Sequence, residues 1–280
     1  MTTIQATGWG ATDVGRRRER NEDDFHLGDD LQLYIVADGM GGHLGGGMAS
    51  KMAVAVMARV IRQLVEDPDT TIESGEIRLQ GHDPASILQY AIQCASRDIY
   101  ERAQHDPHLR GMGTTVVVLW IRGGIAYVAN VGDSRGYLRR GEELLQLTVD
   151  HSLVGEQIRA GLLSEQDARS HRLKNIITRS VGFQPVVDVD VDCRPVRSGD
   201  CFLLCTDGLT NMVPDAQLRQ VLADNPLSEA CRCLIDLANQ AGGDDNITVV
   251  LASVSGTAEA SLSEPTEQWD EPTEHIGEKE

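Results

Sequence analysis

Aromatic residues are scarce in this chain of 280: three Trp, five Tyr and three Phe make up 4% of it. Core volume must therefore come mainly from aliphatic side chains, and stretches such as TTVVVLW and ITVVLASV supply them. With 41% hydrophobic residues the chain can build one sizeable core. Basic residues are also few, 25 Lys and Arg against 43 Asp and Glu, for a net charge of −18. Nucleic-acid backbones are held by clustered Lys and Arg, so this balance argues against a nucleic-acid partner. No apolar run approaches the ~18 residues of a membrane span, and no charged-then-apolar leader precedes the first strand pattern. A soluble cytoplasmic protein with no membrane contact is expected. The six cysteines include no C-x-x-C pair; Cys201 and Cys205 sit in CFLLC, and Cys231 and Cys233 on a helical pattern. Reduced core thiols are expected, not a disulfide framework or a zinc ribbon.

The charge is uneven. Residues 255–280 hold eight acids and one base, leaving 35 acids against 24 bases upstream. This tail repeats EPTE at Glu264 to Glu267 and Glu271 to Glu274 and has too few apolar residues to offset ordering entropy, so disorder is expected. The body, residues 1–254, alternates strand and helix patterns. IQATGWGATD, DDFHLG and LQLYIVADG read as strands, and Met48 to Leu64 as a mostly buried helix. A polar loop from Glu66 to Asp83 follows, then a helix from Pro84 to about Gln104 with Asp83 as its cap. Strands are expected at Thr114 to Ile121 and Ile125 to Val131, paired through RGG, and around the RGEE turn. Asp150 to Thr178 lacks a strong apolar face and reads as a peripheral insertion. Strands return at Val187 to Cys193, Cys201 to Thr206 and Ile247 to Val254, with helices from Pro214 and Leu227. Strand groups separated by helix pairs predict an α+β protein of two mainly antiparallel sheets packed face to face, with helices outside.

Four acids stand where apolar strands meet loops: Asp38 after YIVA, Asp133 after AYVANVG, Asp207 after CFLLCT, and Asp245 before NITVV. One such acid is ordinarily a turn residue. Four at the mouths of four core strands would repel one another if brought together, and a cation relieves that repulsion. Hard oxygen donors without nearby His or Cys select Mg²⁺ or Mn²⁺. Gly39 would let backbone approach such an ion closely. Other motifs fail on spacing. GGGMASK offers Lys51 only after Ser50, so no Walker loop forms; Leu44 stands where a dinucleotide fingerprint needs its third glycine. DVDVDC has Cys193 where a calcium loop needs glycine, and strand alternation with inward valines accounts for it. In DVGRRRERNEDD, arginines directly precede acids, which juxtaposes a phosphate fork with metal-binding groups.

Together RRRERNED, VADGMGGH, GMGTTVVV, ANVGDSRGYL, LLCTDGL and GGDDNITVV, in this order, resemble the metal-dependent (type 2C) serine/threonine protein phosphatases in their bacterial form. The resemblance spans Gln5 to Val254. It implies a four-layer α-β-β-α sandwich with a small flap at about 150–178. It further implies two core Mn²⁺ or Mg²⁺ ions on Asp23, Asp38, Asp207 and Asp245 and the Gly39 carbonyl, with Glu22 acting through metal-bound water. Arg18 matches the phosphate-holding arginine, whereas Arg16, Arg17 and Arg20 do not. Asp133 matches an acid that, with Asp207, holds a weaker third ion. The implied reaction is hydrolysis of phosphoserine and phosphothreonine by a hydroxide bridging the two ions, opposing bacterial serine/threonine kinases. The alternative is a catalytically weak module of the same fold that binds phosphoproteins. Many eukaryotic relatives carry a histidine at the position of Met40, so no general acid is assigned; His43 is expected to face the core or belong to the glycine loop, and His171 to be structural or substrate-adjacent. A monomer acting on phosphorylated proteins is expected.

Overall fold

A computed structural model of the chain describes residues 4–41, 45–67, 73–74, 77–78, 83–164, 167–168 and 171–256. His43, most of the polar stretch between Glu66 and Asp83, and the acidic tail beyond residue 256 lie outside the described residues. Chain order begins β1 (Gln5–Asp13), β2 (Asp23–Gly28), β3 (Leu33–Met40), α1 (Gly45–Glu66), β4 (Glu73–Ser74), β5 (Ile77–Arg78) and α2 (Pro84–His105). It continues β6 (Gly113–Thr114), β7 (Val116–Arg122), β8 (Ile125–Val131), β9 (Arg135–Arg140), β10 (Glu143–Gln146) and α3 (Leu153–Arg159). It closes with β11 (Asp190–Pro195), β12 (Cys201–Cys205), α4 (Asp207–Thr210), α5 (Asp215–Asp224), α6 (Leu227–Ala241) and β13 (Ile247–Ser255).

One sheet runs β1, β13, β12, β9, β10. The other runs β11, β8, β7, β3, β2, with β6 added on β3. All of these ladders are antiparallel. Period-2 alternation sorts each strand's side chains between two faces. Leu33, Ile35 and Ala37 of β3 pack with Met57, Ile61, Leu88 and Ile92 of α1 and α2. Their neighbours Tyr34 and Val36 turn the other way, into a layer between the sheets shared with Val117, Leu119, Phe202, Leu204 and Val250. Leu203, Val249 and Leu251 face outward onto Leu218, Leu222, Leu234 and Ala238 of α5 and α6. The result is the expected α-β-β-α sandwich. It explains why these strands are apolar on both faces: neither sheet exposes its central strands to water.

The α2 cap forms as expected, with the Asp83 carboxylate accepting from the Ser86 N–H at 3.2 Å and Pro84 at the first helical position. Two strand boundaries differ from expectation. The run from Thr114 splits at Thr115, whose backbone N–H turns to the Asp38 carbonyl at 2.9 Å. The last strand of the second sheet starts at Asp190, three residues later than Val187. Both backbone groups of Val187 are bonded by the Gln93 side chain instead of a ladder partner. Val187 and Val189 still pack inward on the core, as alternation requires.

Candidate active site

Each sheet delivers acids to the same place. In the β2 and β3 ladder Asp23 lies directly opposite Asp38, so one register fixes two carboxylates side by side. Asp38 sits where β3 leaves β7 and takes up β6. Its backbone there is pinned by hydroxyls: Asp38 N–H donates to Thr115 Oγ1 at 3.2 Å, and Thr114 Oγ1 donates to the Asp38 carbonyl at 2.7 Å. From the other sheet, Asp207 follows β12 and opens α4, and Asp245 precedes the neighbouring strand β13. Asp133 lies on the connection from β8 to β9, where the chain crosses between sheets.

A cavity of about 350 Å³ gathers them, lined by Arg18, Glu22, Asp38, Gly39, Asp133, Asp207 and Asp245 together with Met40, Asn175 and Asn246 among others. Asp23 is not on its wall but is buried against it. Asp23 Oδ2 accepts from Thr248 Oγ1 at 2.6 Å and Thr206 Oγ1 at 3.0 Å, while its Oδ1 is buried with no hydrogen-bond partner. Asp207 is arranged alike: Oδ2 accepts from Asn211 Nδ2 at 2.9 Å and the buried Oδ1 has no partner. The buried Oδ1 of Asp133 also lacks one. A buried unpaired carboxylate oxygen is costly, and here three occur around one cavity.

The electrostatics follow from this crowding. Burial is the main cause that lifts Asp38 and Asp133 well above the ordinary carboxylate range, reinforced by repulsion from Asp23 and Asp207 on Asp38 and from Asp207 and Asp150 on Asp133. Burial lifts Asp23 to about 7 despite its two threonine donors, and lifts Asp207 to about 6 with help from Asp245. Clustered carboxylates, no His or Cys on the lining, and orphaned oxygens form a donor set that fits hard divalent cations. The acids line the cavity without closing on one point: among the described residues no three of them are already gathered as a preformed metal cage.

Gly39 is required for a reason the sequence did not reveal. A Cβ there would overlap the Gly46 carbonyl oxygen at the start of α1 and come within 2.6 Å of the Glu22 carbonyl oxygen. The absence of a side chain lets β3, α1 and the Glu22 segment meet. Glu22 is further held by Asn246, whose Oδ1 accepts the Glu22 N–H at 2.8 Å. Asn246 also donates from Nδ2 to the carbonyls of Val14 and Arg20, at 3.0 and 2.9 Å, and so shapes the whole arginine-rich loop. Arg18 alone of the four arginines lines the cavity; its Nη2 donates to Asp245 Oδ2 at 2.7 Å. The backbone N–H groups of Arg16 and Arg17 are tied to the Gly243 carbonyl.

Sequence reasoning missed Asn246, Thr206, Thr248 and Thr115, which place the acids without being acids. It also took residues 150–178 as peripheral. Residues 159–162 are exposed, but the two ends of the segment pair beside the site: Leu153 N–H donates to the Ile176 carbonyl and Thr178 N–H to the His151 carbonyl, both at 2.8 Å. Asn175 and Ile177 reach the cavity from this segment. His171 does not line it; its Nδ1 accepts from the Leu173 N–H at 3.3 Å. A second cavity of about 500 Å³ lies under the segment and shares Asp133 and Asp207 with the first.

The family model described as Protein phosphatase 2C matches residues 14–248. The chain belongs to the protein phosphatase 2C family. It is a phosphoprotein phosphatase, a phosphoric monoester hydrolase. It is similar to the serine/threonine phosphatase stp of Listeria innocua, 42% identical over 244 residues, which cover 86% of this chain and 92% of that protein. Protein phosphatase PhpP of Streptococcus pneumoniae is 40% identical over 249 residues, 87% of this chain and 96% of PhpP. Among solved structures, the Mycobacterium tuberculosis serine/threonine phosphatase PstP/Ppp superposes with a TM-score of 0.79 at 32% identity, covering 90% of this chain and 99% of that one. The catalytic domain of PstP in complex with two manganese ions gives 0.77 at 32% identity, covering 90% and 100%.

Proposed function

We propose that this phosphatase hydrolyses phosphoserine and phosphothreonine in proteins, using two Mn²⁺ or Mg²⁺ ions held by Asp23, Asp38, Asp207, Asp245 and the Gly39 carbonyl. Three buried carboxylate oxygens without partners carry the proposal, because bound cations offset their cost at neutral pH. The PstP relative solved with two manganese ions supports it. When bound, such ions activate water as a nucleophile at neutral pH and neutralise the charge of in-line displacement. Glu22 orients water at the ion site, and Asp133 with Asp207 holds a weaker third cation.

The remaining work falls to the chain's own groups. Arg18 presents a planar fork to the phosphoryl oxygens, which fixes their orientation to the acid floor. Met40 lines the cavity where a leaving alkoxide would depart, and a thioether has no proton to give. No histidine lines the cavity among the described residues, and no general acid is assigned. The domain spans residues 1–254 with its flap at about 150–178, followed in sequence by the acidic tail. The enzyme works as a cytoplasmic monomer against serine/threonine kinases, taking those kinases and their targets as substrates.

The deciding experiment is phosphate release from a phosphothreonine peptide with Mn²⁺, Mg²⁺ or EDTA, for wild type and Asp207→Asn. Cation-dependent release that the substitution abolishes is expected. Wild type that releases nothing from several phosphopeptides in ample Mn²⁺, while still binding them, would make the chain a phosphoprotein-binding module instead.

A further inference from the structure

We propose that His151, Asp190 and Arg179 form a clamp that positions the Asp133 loop and the flap together, and that this clamp governs the binding of polypeptide substrates. The inference rests on the phosphatase function above. None of the three residues lines either cavity, so they act through others and are positioning residues.

His151 is 2% exposed and bonds Gly132 twice. Its backbone N–H donates to the Gly132 carbonyl at 2.9 Å, and its ring Nδ1 accepts the Gly132 N–H at 3.1 Å. Because Nδ1 accepts, the ring proton sits on Nε2, which donates to Asp190 Oδ2 at 3.0 Å. A partner of this kind on the far nitrogen fixes both tautomer and ring orientation. Gly132 itself cannot be replaced: its φ is +108°, and a Cβ would overlap the Thr115 side chain, so glycine is needed where the chain turns into Asp133, the next residue.

The far end of the clamp reaches the flap. Arg179 Nη1 donates to Asp190 Oδ1 at 2.9 Å, and the preceding residue, Thr178, donates its N–H to the His151 carbonyl. Arg179 Nη1 also lies 3.2 Å from Nε2, where its charge and the burial of the ring both oppose a second ring proton. Two residues back along each segment the tie is repeated: Asn130, the cross-strand partner of Asp190, donates from Nδ2 to the Val149 carbonyl at 3.1 Å. Asp190 belongs to the rigid ladder of β11 on β8. One carboxylate on the framework therefore holds, oxygen by oxygen, the ring behind Asp133 and the segment that leaves the flap.

A His–Asp pair with a buried ring and a half-exposed carboxylate is often only a satisfied structural contact. This one differs because its two outer partners are the Asp133 loop and the segment that sends Asn175 and Ile177 into the cavity. A shift of the flap root must pull on Asp190, His151 and the Gly132 N–H in turn. Substrates that touch the flap should feel that shift, whereas a small aryl phosphate held by Arg18 and the acids of the two-ion site should feel little of it, because the His151 backbone N–H keeps its bond to the Gly132 carbonyl.

The test compares Asp190→Ala, Asp190→Asn, Arg179→Ala and His151→Asn. Steady-state kinetics would use a phosphothreonine peptide and p-nitrophenyl phosphate, and amide hydrogen exchange would be followed in EDTA. Asparagine at 151 can still accept the Gly132 N–H near the Nδ1 position but cannot reach Asp190. Expected for Asp190→Ala, Arg179→Ala and His151→Asn is a KM for the peptide raised about tenfold, with kcat/KM for the aryl phosphate within about twofold of wild type. Asp190→Asn, which keeps an acceptor, should recover part of the peptide KM. Exchange of the Thr178 and Leu153 amides should quicken in Asp190→Ala, Arg179→Ala and His151→Asn, with the Gly132 amide still protected in His151→Asn. Arg179 is 38% exposed on its side chain, so its alanine variant folds and keeps the test decisive if the others do not. Equal losses on both substrates, or an unchanged peptide KM with Thr178 still protected, would overturn the clamp. Wild type inactive on both substrates would overturn the functional proposal instead, and the exchange data would still judge the clamp.

Discussion

Arg18 Nη2 and Asp245 Oδ2 are 2.7 Å apart, so the group that meets phosphate and a group that meets the cation share one contact. The guanidinium is half-exposed, so its hold on Asp245 is loose enough to be exchanged for a phosphoryl oxygen.

Replacing Arg18 with alanine should therefore act on substrate affinity. A charge-assisted hydrogen bond is worth about 1.5–3 kcal/mol, so KM for a phosphopeptide should rise roughly 10- to 100-fold with a smaller change in kcat. Arg18→Lys should recover little, because an ammonium offers no planar fork. Saturation kinetics with Mn²⁺ in excess decide it; a fall in kcat alone would place Arg18 elsewhere in the reaction.

Asp207→Asn should abolish activity and at the same time stabilise the cation-free fold. The folded-state pKa of Asp207 is raised from 3.8 to about 6, so between these values the folded chain binds more protons than the unfolded one. Stability therefore falls as pH rises through that window, and the penalty is complete above about 6. Removing the charge should return roughly 1–3 kcal/mol at about pH 8, a few degrees in Tm for a domain of this size. Thermal melts in EDTA should show the difference shrinking as pH is lowered toward about 4.

Thr248→Val should weaken cation binding without touching any ligand. The hydroxyl donates to Asp23 Oδ2 and meets Thr12 Oγ1 at 2.7 Å, so its loss frees the carboxylate to rotate. Loss of such an outer partner typically costs 10- to 100-fold in metal affinity, about that range being expected here by calorimetric titration with Mn²⁺. Thr248→Ser should bind as wild type does.

Asp200→Ala should damage stability and spare the chemistry. Asp200 is 1% exposed and accepts from Arg140 Nε at 2.8 Å, Arg140 Nη2 at 2.7 Å and the Arg197 N–H at 2.7 Å. Arg140 remains partly hydrated without it, which puts the cost at about 2–3 kcal/mol, below that of stranding a fully buried partner. Denaturant unfolding should show this loss, while kcat/KM well below the melting temperature stays as in wild type.

Strand existence was legible where a short apolar run is bounded by turn signals: Leu33 to Ala37, too short for a helix and apolar throughout, suits a strand buried on both faces. The acids were legible because a carboxylate on the end of an apolar run is chemically conspicuous. Thr206, Thr248 and Asn246 are not, since a hydroxyl or amide beside a strand is ordinary and its partner lies far along the chain. His151 and Asp190 are 39 residues apart, and nothing in HSLV or DVDVDC announces that the two side chains meet. In DVDVDC alternation correctly turned the valines inward. It could not say that one of the outward acids would be taken by the flap.

Asp23 and Asp38 come from one sheet, Asp207 and Asp245 from the other. Ions bound among them would be rivets between two plates. Any slippage of one layer over the other, too slight to disturb either ladder of backbone hydrogen bonds, would separate the halves of the binding set. Cation affinity in this protein should therefore work as a gauge of sandwich alignment, failing earlier on heating than the secondary structure that surrounds it.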